Sequence, residues 1–94
     1  MPKPTGYKLN DYIKAVEICV AEFGYDRVKH GYVSGSAYTF QIFERGDQSV
    51  PCVIWSIHFG HNKKKEIYSD DLKKIWTKTM VTKERFIEVL QALK

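Results

Sequence analysis

Leu9, Tyr12, Ile13, Val16, Val20 and Phe23 recur three or four residues apart, the spacing that lines one face of a helix. The pattern predicts a helix over 10–23, with Asn10 as N-cap, Asp11 in the first turn and Gly24 as the stop. Residues 1–7, with two prolines and a glycine, read as an extended lead-in. Beyond the helix the period changes. Tyr38-Thr39-Phe40-Gln41-Ile42-Phe43 alternates apolar with polar, the period of two of a half-buried strand. Glu44-Arg45-Gly46-Asp47-Gln48 supplies turn chemistry, and Val50 to Phe59 reads as the strongest strand, rich in β-branched and aromatic residues. The two form an antiparallel hairpin. Tyr25 to Val33 is a weaker signal that admits a further short strand.

After the polar, basic loop 60–65, Ile67 and Tyr68 return to the core. Ser69 is expected to cap a helix carrying Asp70 and Asp71 in its first turn and Leu72, Ile75 and Trp76 on its apolar side. Thr82 restarts a helix in which Phe86, Val89, Leu90 and Leu93 share a side. The order is helix, two or three strands, then two helices. The expected fold is therefore α+β, in one domain over 1–94: a small three-stranded antiparallel sheet with helices on one face, α-β-β-β-α-α.

Composition adds three things. Aromatics make up 14% of the chain, enough burial to argue against disorder. The net charge is +4. Eight basic residues between Lys63 and Arg85 against four acids there give an excess equal to that whole charge. The expectation is that basic side chains after residue 60 gather on one accessible face and grip an anion, either RNA phosphate or an acidic protein; a merely solvated helix face is the alternative. Cys19 and Cys52 stand far apart in apolar runs without metal-ligand spacing, so reduced thiols are expected in preference to zinc or a disulfide. No apolar signal core opens the chain and no stretch approaches a membrane span, which points to a cytoplasmic protein without a membrane contact.

Candidate chemistry is sparse. There is no glycine-rich phosphate loop before a helix and no convergent ligand set, so neither cofactor nor metal is expected. The histidines are His30, His58 and His61. One of them beside lysines has the means to move a proton in phosphodiester cleavage while the ammonium groups steady the phosphate; a surface histidine without chemistry is the plainer reading of each. Tyr32 and Tyr38, flanking the Gly35 loop, hint at base stacking.

Several segments, taken together, resemble the HicA toxins, small messenger-RNA-cleaving proteins of bacterial toxin–antitoxin pairs. Gly24-Tyr25 closes the first helix and Gly35-Ser36 precedes the strand Tyr38–Phe43. Val50–Phe59 leads to His61. Lys65-Glu66-Ile67-Tyr68 and Asp71-Leu72-Lys73-Lys74-Ile75 look like the family's end segment. The resemblance implies a fold like a double-stranded RNA-binding domain, a possible endoribonuclease activity and an antitoxin-like partner. It makes His61 and His30 the catalytic candidates and Lys63, Lys64, Lys65, Lys73 and Lys74 the RNA contacts. The chain departs from the family where the catalytic histidine follows Gly-Ser: that place holds Ala37, which cannot transfer a proton. Either another histidine serves, or the scaffold binds RNA or protein without cutting.

Overall fold

In a computed structural model the chain is described at residues 4–34, 37–46, 49–58 and 66–94. Elements follow in the order β1 (Pro4–Lys8), α1 (Leu9–Glu22), β2 (Arg27–Ser34), β3 (Ala37–Phe43), β4 (Val53–His58), β5 (Glu66–Tyr68), α2 (Ser69–Leu72), α3 (Lys74–Lys78) and α4 (Lys83–Leu93). The fold is α+β, as the hydrophobic pattern predicts. Strands β2, β3 and β4 form an antiparallel sheet in that order, and β1 pairs antiparallel with β5 in a separate ribbon.

The first helix buries Leu9, Tyr12, Ala15, Val16, Cys19 and Val20. Its end is a Schellman turn: Gly24 takes φ +90°, its N–H donates to the Ala21 carbonyl, and the Tyr25 N–H reaches back to Val20. A left-handed residue is required there, and glycine adopts it without a Cβ clash. The last helix begins at Thr82, whose hydroxyl accepts from the Arg85 N–H at 3.3 Å, the expected N-cap.

Tyr12 sits where the layers meet. Its ring packs edge-on against Phe40 of β3 at 5.3 Å and Phe86 of α4 at 5.4 Å, while Phe40 stacks on Trp55 of β4 at 5.2 Å. The Trp55 indole N–H donates to the Tyr12 hydroxyl at 3.2 Å, so both polar tips of this aromatic cluster are satisfied within the core. Phe86, Val89 and Leu90 close the core from the α4 side. One face of the three-stranded sheet is therefore committed to the helices.

Five expectations change. The lead-in is a strand: Thr5 donates its hydroxyl to the Ile67 carbonyl at 2.6 Å, and Lys8 pairs with Glu66. Because that strand runs directly into α1, Lys8 is the N-cap position, without a side-chain bond, and Asn10 lies inside the helix. Ser69 is the first residue of α2 and not its cap, for the same reason: Tyr68 leaves β5 in extended geometry and enters the helix at once. The single helix expected from Ser69 onward is divided at Lys73 into α2 and α3. Finally, β4 starts at Val53 and leaves Val50 exposed, since Pro51 has no N–H for the ladder and pairing begins with the Cys52 N–H to the Ile42 carbonyl. Cys19 is buried, Cys52 is exposed, and both are free thiols. Among the described residues no helix is long and apolar enough to cross a membrane, and no group of His, Cys, Asp and Glu could hold a metal.

Candidate nucleic-acid interface

Alternation divides the sheet into two faces. Val28, His30 and Tyr32 of β2, Tyr38, Phe40 and Ile42 of β3, and Val53, Trp55 and Ile57 of β4 pair across the strands and turn towards the helices. The opposite face carries Arg27, Lys29, Gly31 and Val33; then Ala37, Thr39, Gln41 and Phe43; then Ile54, Ser56 and His58. Side-chain geometry bears this out. The Arg27 guanidinium lies over the Phe43 ring at 4.1 Å, and the Thr39 and Ser56 hydroxyls hydrogen-bond at 2.8 Å. No carboxylate occupies any of these outward positions. Arg27 pairs with its chain neighbour Asp26 at a loose 3.8 Å. Over Gly31 the face dips into a depression of about 200 Å3 lined by Lys29, His30, Gly31, Tyr32, Val33, Thr39 and Gln41.

His30 is placed differently. Its Nδ1 is 2.6 Å from the Tyr38 hydroxyl and its Nε2 is 3.2 Å from Glu17 Oε1. An ionised Glu17 can only accept, so Nε2 carries the hydrogen. In the neutral ring, Nδ1 then accepts from Tyr38. Burial, with Tyr32 and Glu17 adding to it, holds the Tyr38 hydroxyl above its ordinary range and keeps it a neutral donor. Both ring nitrogens are thus engaged in tying β2 and β3 to α1, which leaves His30 no nitrogen for a substrate unless this chain of hydrogen bonds opens. Of the two tyrosines singled out for stacking, Tyr32 is exposed and Tyr38 is 7% exposed; Tyr32 leans edge-on against Tyr38 at 4.8 Å.

The expected cluster of basic residues is not a free set. The Lys74 ammonium lies 2.8 Å from Asp71 Oδ1 and donates to the Ser56 carbonyl at 2.7 Å, while Asp71 Oδ2 accepts the His58 N–H at 3.0 Å. Asp71 and Lys74 together clasp the outer edge of β4. Lys74, expected as an RNA contact, has its ammonium already engaged by a carboxylate and a carbonyl, as a clamp on the strand edge. The aspartate expected to serve only the helix end is a buried strand-edge partner, a role that a sequence pattern at the helix start does not reveal. Arg85 is likewise neutralised, by Glu22 at 2.7 and 2.8 Å and by Glu88. Its hydrogen bonds hold the Glu22 carboxyl below the usual carboxylate range. Lys73 is exposed, without an ion pair among the described residues. His61, Lys63, Lys64 and Lys65 lie outside the described residues.

The remaining histidine is His58. It is exposed at the end of β4 and stands in register opposite Ala37, with its backbone fixed by Asp71. Directly paired residues have Cβ atoms about 4.5–5.5 Å apart, so the His58 Cβ stands close to that of Ala37. Only the strand register, which no local pattern contains, brings the two positions together.

The chain matches no protein-family model, no curated protein and no solved structure.

Proposed function

We propose that this chain binds single-stranded RNA on the outer face of its sheet, chiefly along β2, as a binding module and not through a cofactor. The observation that carries the reading is the outer face of the sheet, whose described strand positions carry no carboxylate and where Arg27, beside Asp26, and Lys29 stand two residues apart on one strand near hydroxyl and amide side chains. Basic side chains on a strand row without carboxylates attract phosphate, and bases rest on a sheet face or a guanidinium plane. The Arg27 guanidinium already lies over the Phe43 ring. Lys73 and the lysine triplet Lys63–Lys65 extend this reading as further phosphate contacts. The resemblance to the HicA toxins points the same way.

The test is fluorescence anisotropy of a labelled uridine oligonucleotide across a salt series. The unaltered chain binds, and affinity falls with salt. In the Arg27→Gln/Lys29→Gln variant affinity drops, and the log–log salt slope shrinks by about 0.7 for each phosphate that is no longer neutralised. A chain that ignores RNA, or a variant with an unchanged slope, contradicts the proposal. Binding to an acidic protein in place of RNA would shift the partner to protein.

A second reading has one observation in its favour: His58 stands opposite Ala37. If the chain cleaves RNA as HicA toxins do, His58 joins His61 as a proton-transfer candidate. Cleavage that survives both His58→Ala and His61→Ala removes histidine chemistry from this face.

A further inference from the structure

Gly31 sits in the interior of β2, opposite Thr39. Nothing in the fold demands a glycine there. Its φ is not in the left-handed region, unlike that of Gly6, Gly24 and Gly46, and a Cβ built on it meets no atom within 4 Å. Glycine inside a strand costs conformational entropy and supplies no side chain to pack, and it often marks a place where a ligand approaches the backbone closely. Here the missing side chain is what opens the depression on the outer face.

The lining defines what could enter. It holds no acid and is bordered by the Lys29 ammonium, so it suits a neutral or anionic group and not a cation. The Gln41 amide offers donors and an acceptor, and the Thr39 hydroxyl, already paired with Ser56, keeps a spare lone pair. Its volume of about 200 Å3 is below that of a drug-sized pocket, about 300 Å3 and up, so it takes one ring system and not a dinucleotide. We infer that the depression over Gly31 seats one unpaired nucleobase of a bound strand, its plane against the β2 backbone and its edge towards Gln41. This rests on the RNA-binding reading above and deepens it. A duplex could not use such a seat, because its bases are stacked on one another and paired. The neighbouring Arg27 guanidinium, over the Phe43 ring, is placed further along the same strand face for an adjacent base or phosphate.

The experiment compares Gly31→Val and Gly31→Ala with the unaltered chain, using the same labelled uridine oligonucleotide, a duplex RNA and a polyglutamate peptide as probes. Circular-dichroism melting comes first. Both variants are expected to melt at or above the parent temperature, since the added atoms enter open space and valine favours strands. Gly31→Val should then bind the single strand about tenfold or more weakly. Its salt slope should be unchanged, because Arg27 and Lys29 remain. Gly31→Ala should show a smaller loss, and this keeps the test valid should valine disturb the fold. Folded variants with parent affinity overturn the seat while leaving the RNA reading intact. A parent that does not bind the oligonucleotide overturns both. Equal weakening of duplex binding, or weakening only towards polyglutamate, overturns the nucleobase as occupant.

Discussion

Replacing Asp71 by alanine should destabilise the protein by about 2–3 kcal/mol. The carboxylate is 8% exposed and does two things at once: it accepts the His58 N–H at 3.0 Å and pairs with Lys74 at 2.8 Å. A hydrogen bond to a charged acceptor contributes about 1.5–3 kcal/mol. The ion pair adds less, about 0–1 kcal/mol, since the Lys74 side chain is 30% exposed and solvent screens it. In a chain of this size each kcal/mol moves the melting midpoint by about 4–8 °C, so the expected fall is about 8–24 °C. Asp71→Asn keeps an acceptor for His58 and loses only the charge, so it should cost about half as much. The assay is urea unfolding followed by circular dichroism, with gel filtration alongside. Opening the β4 edge exposes unpaired backbone groups, a template for pairing with another chain, and concentration-dependent association should appear. An Asp71→Ala protein within about 0.5 kcal/mol of the parent, the range of an ordinary surface change, and still monodisperse relative to the parent would refute the clasp.

Three further outcomes follow from the core. Tyr12→Phe leaves the Trp55 indole N–H without its partner and should cost about 1–3 kcal/mol in the same urea assay. Burial holds the Tyr12 hydroxyl above its ordinary range, so the folded state keeps a proton that the unfolded chain releases. Stability from this residue is therefore complete below about pH 10 and is lost as pH rises further; tyrosinate absorbance from Tyr12 should appear only together with alkaline unfolding. Burial likewise pushes the Cys19 thiol up to about 11, with Glu22 adding to it, whereas Cys52 is exposed. An alkylating reagent at mildly alkaline pH should modify Cys52 in the native protein and Cys19 only after denaturant is added, and simultaneous labelling of both would contradict the buried position of Cys19.

The parts of the fold governed by local pattern were open to reading. The helical spacing from Leu9 to Phe23 and from Phe86 to Leu93, the alternation through Phe43 and the stop at Gly24 each depend on neighbours within a turn or a strand pair. What stayed hidden depends on distant partners. Lys8 starts α1 because β1 is held by β5, far along the chain, and no capping rule contains that pairing. Lys74 looks like a free cation in a basic run, and only the fold brings the β4 edge within its reach. His30 stands out for its titratable ring, yet Glu17 and Tyr38 occupy both nitrogens. Conversely, the weak stretch from Tyr25 to Val33 proves to hold a full strand, with Gly31 in its interior. The acid-free face emerges only once the registers of β2, β3 and β4 are superposed, because its residues come from three separate segments.

The central claim is that the outer face of the sheet, and not the helical side, meets nucleic acid. Amide chemical-shift mapping with an isotope-labelled chain and an unlabelled uridine oligonucleotide tests it at residue level. Shifts concentrated at Lys29, Gly31, Thr39 and Gln41, with α1 and α4 quiet, are the predicted result. Shifts gathered on α1 or α4, or a spectrum that does not respond to the oligonucleotide, would contradict it.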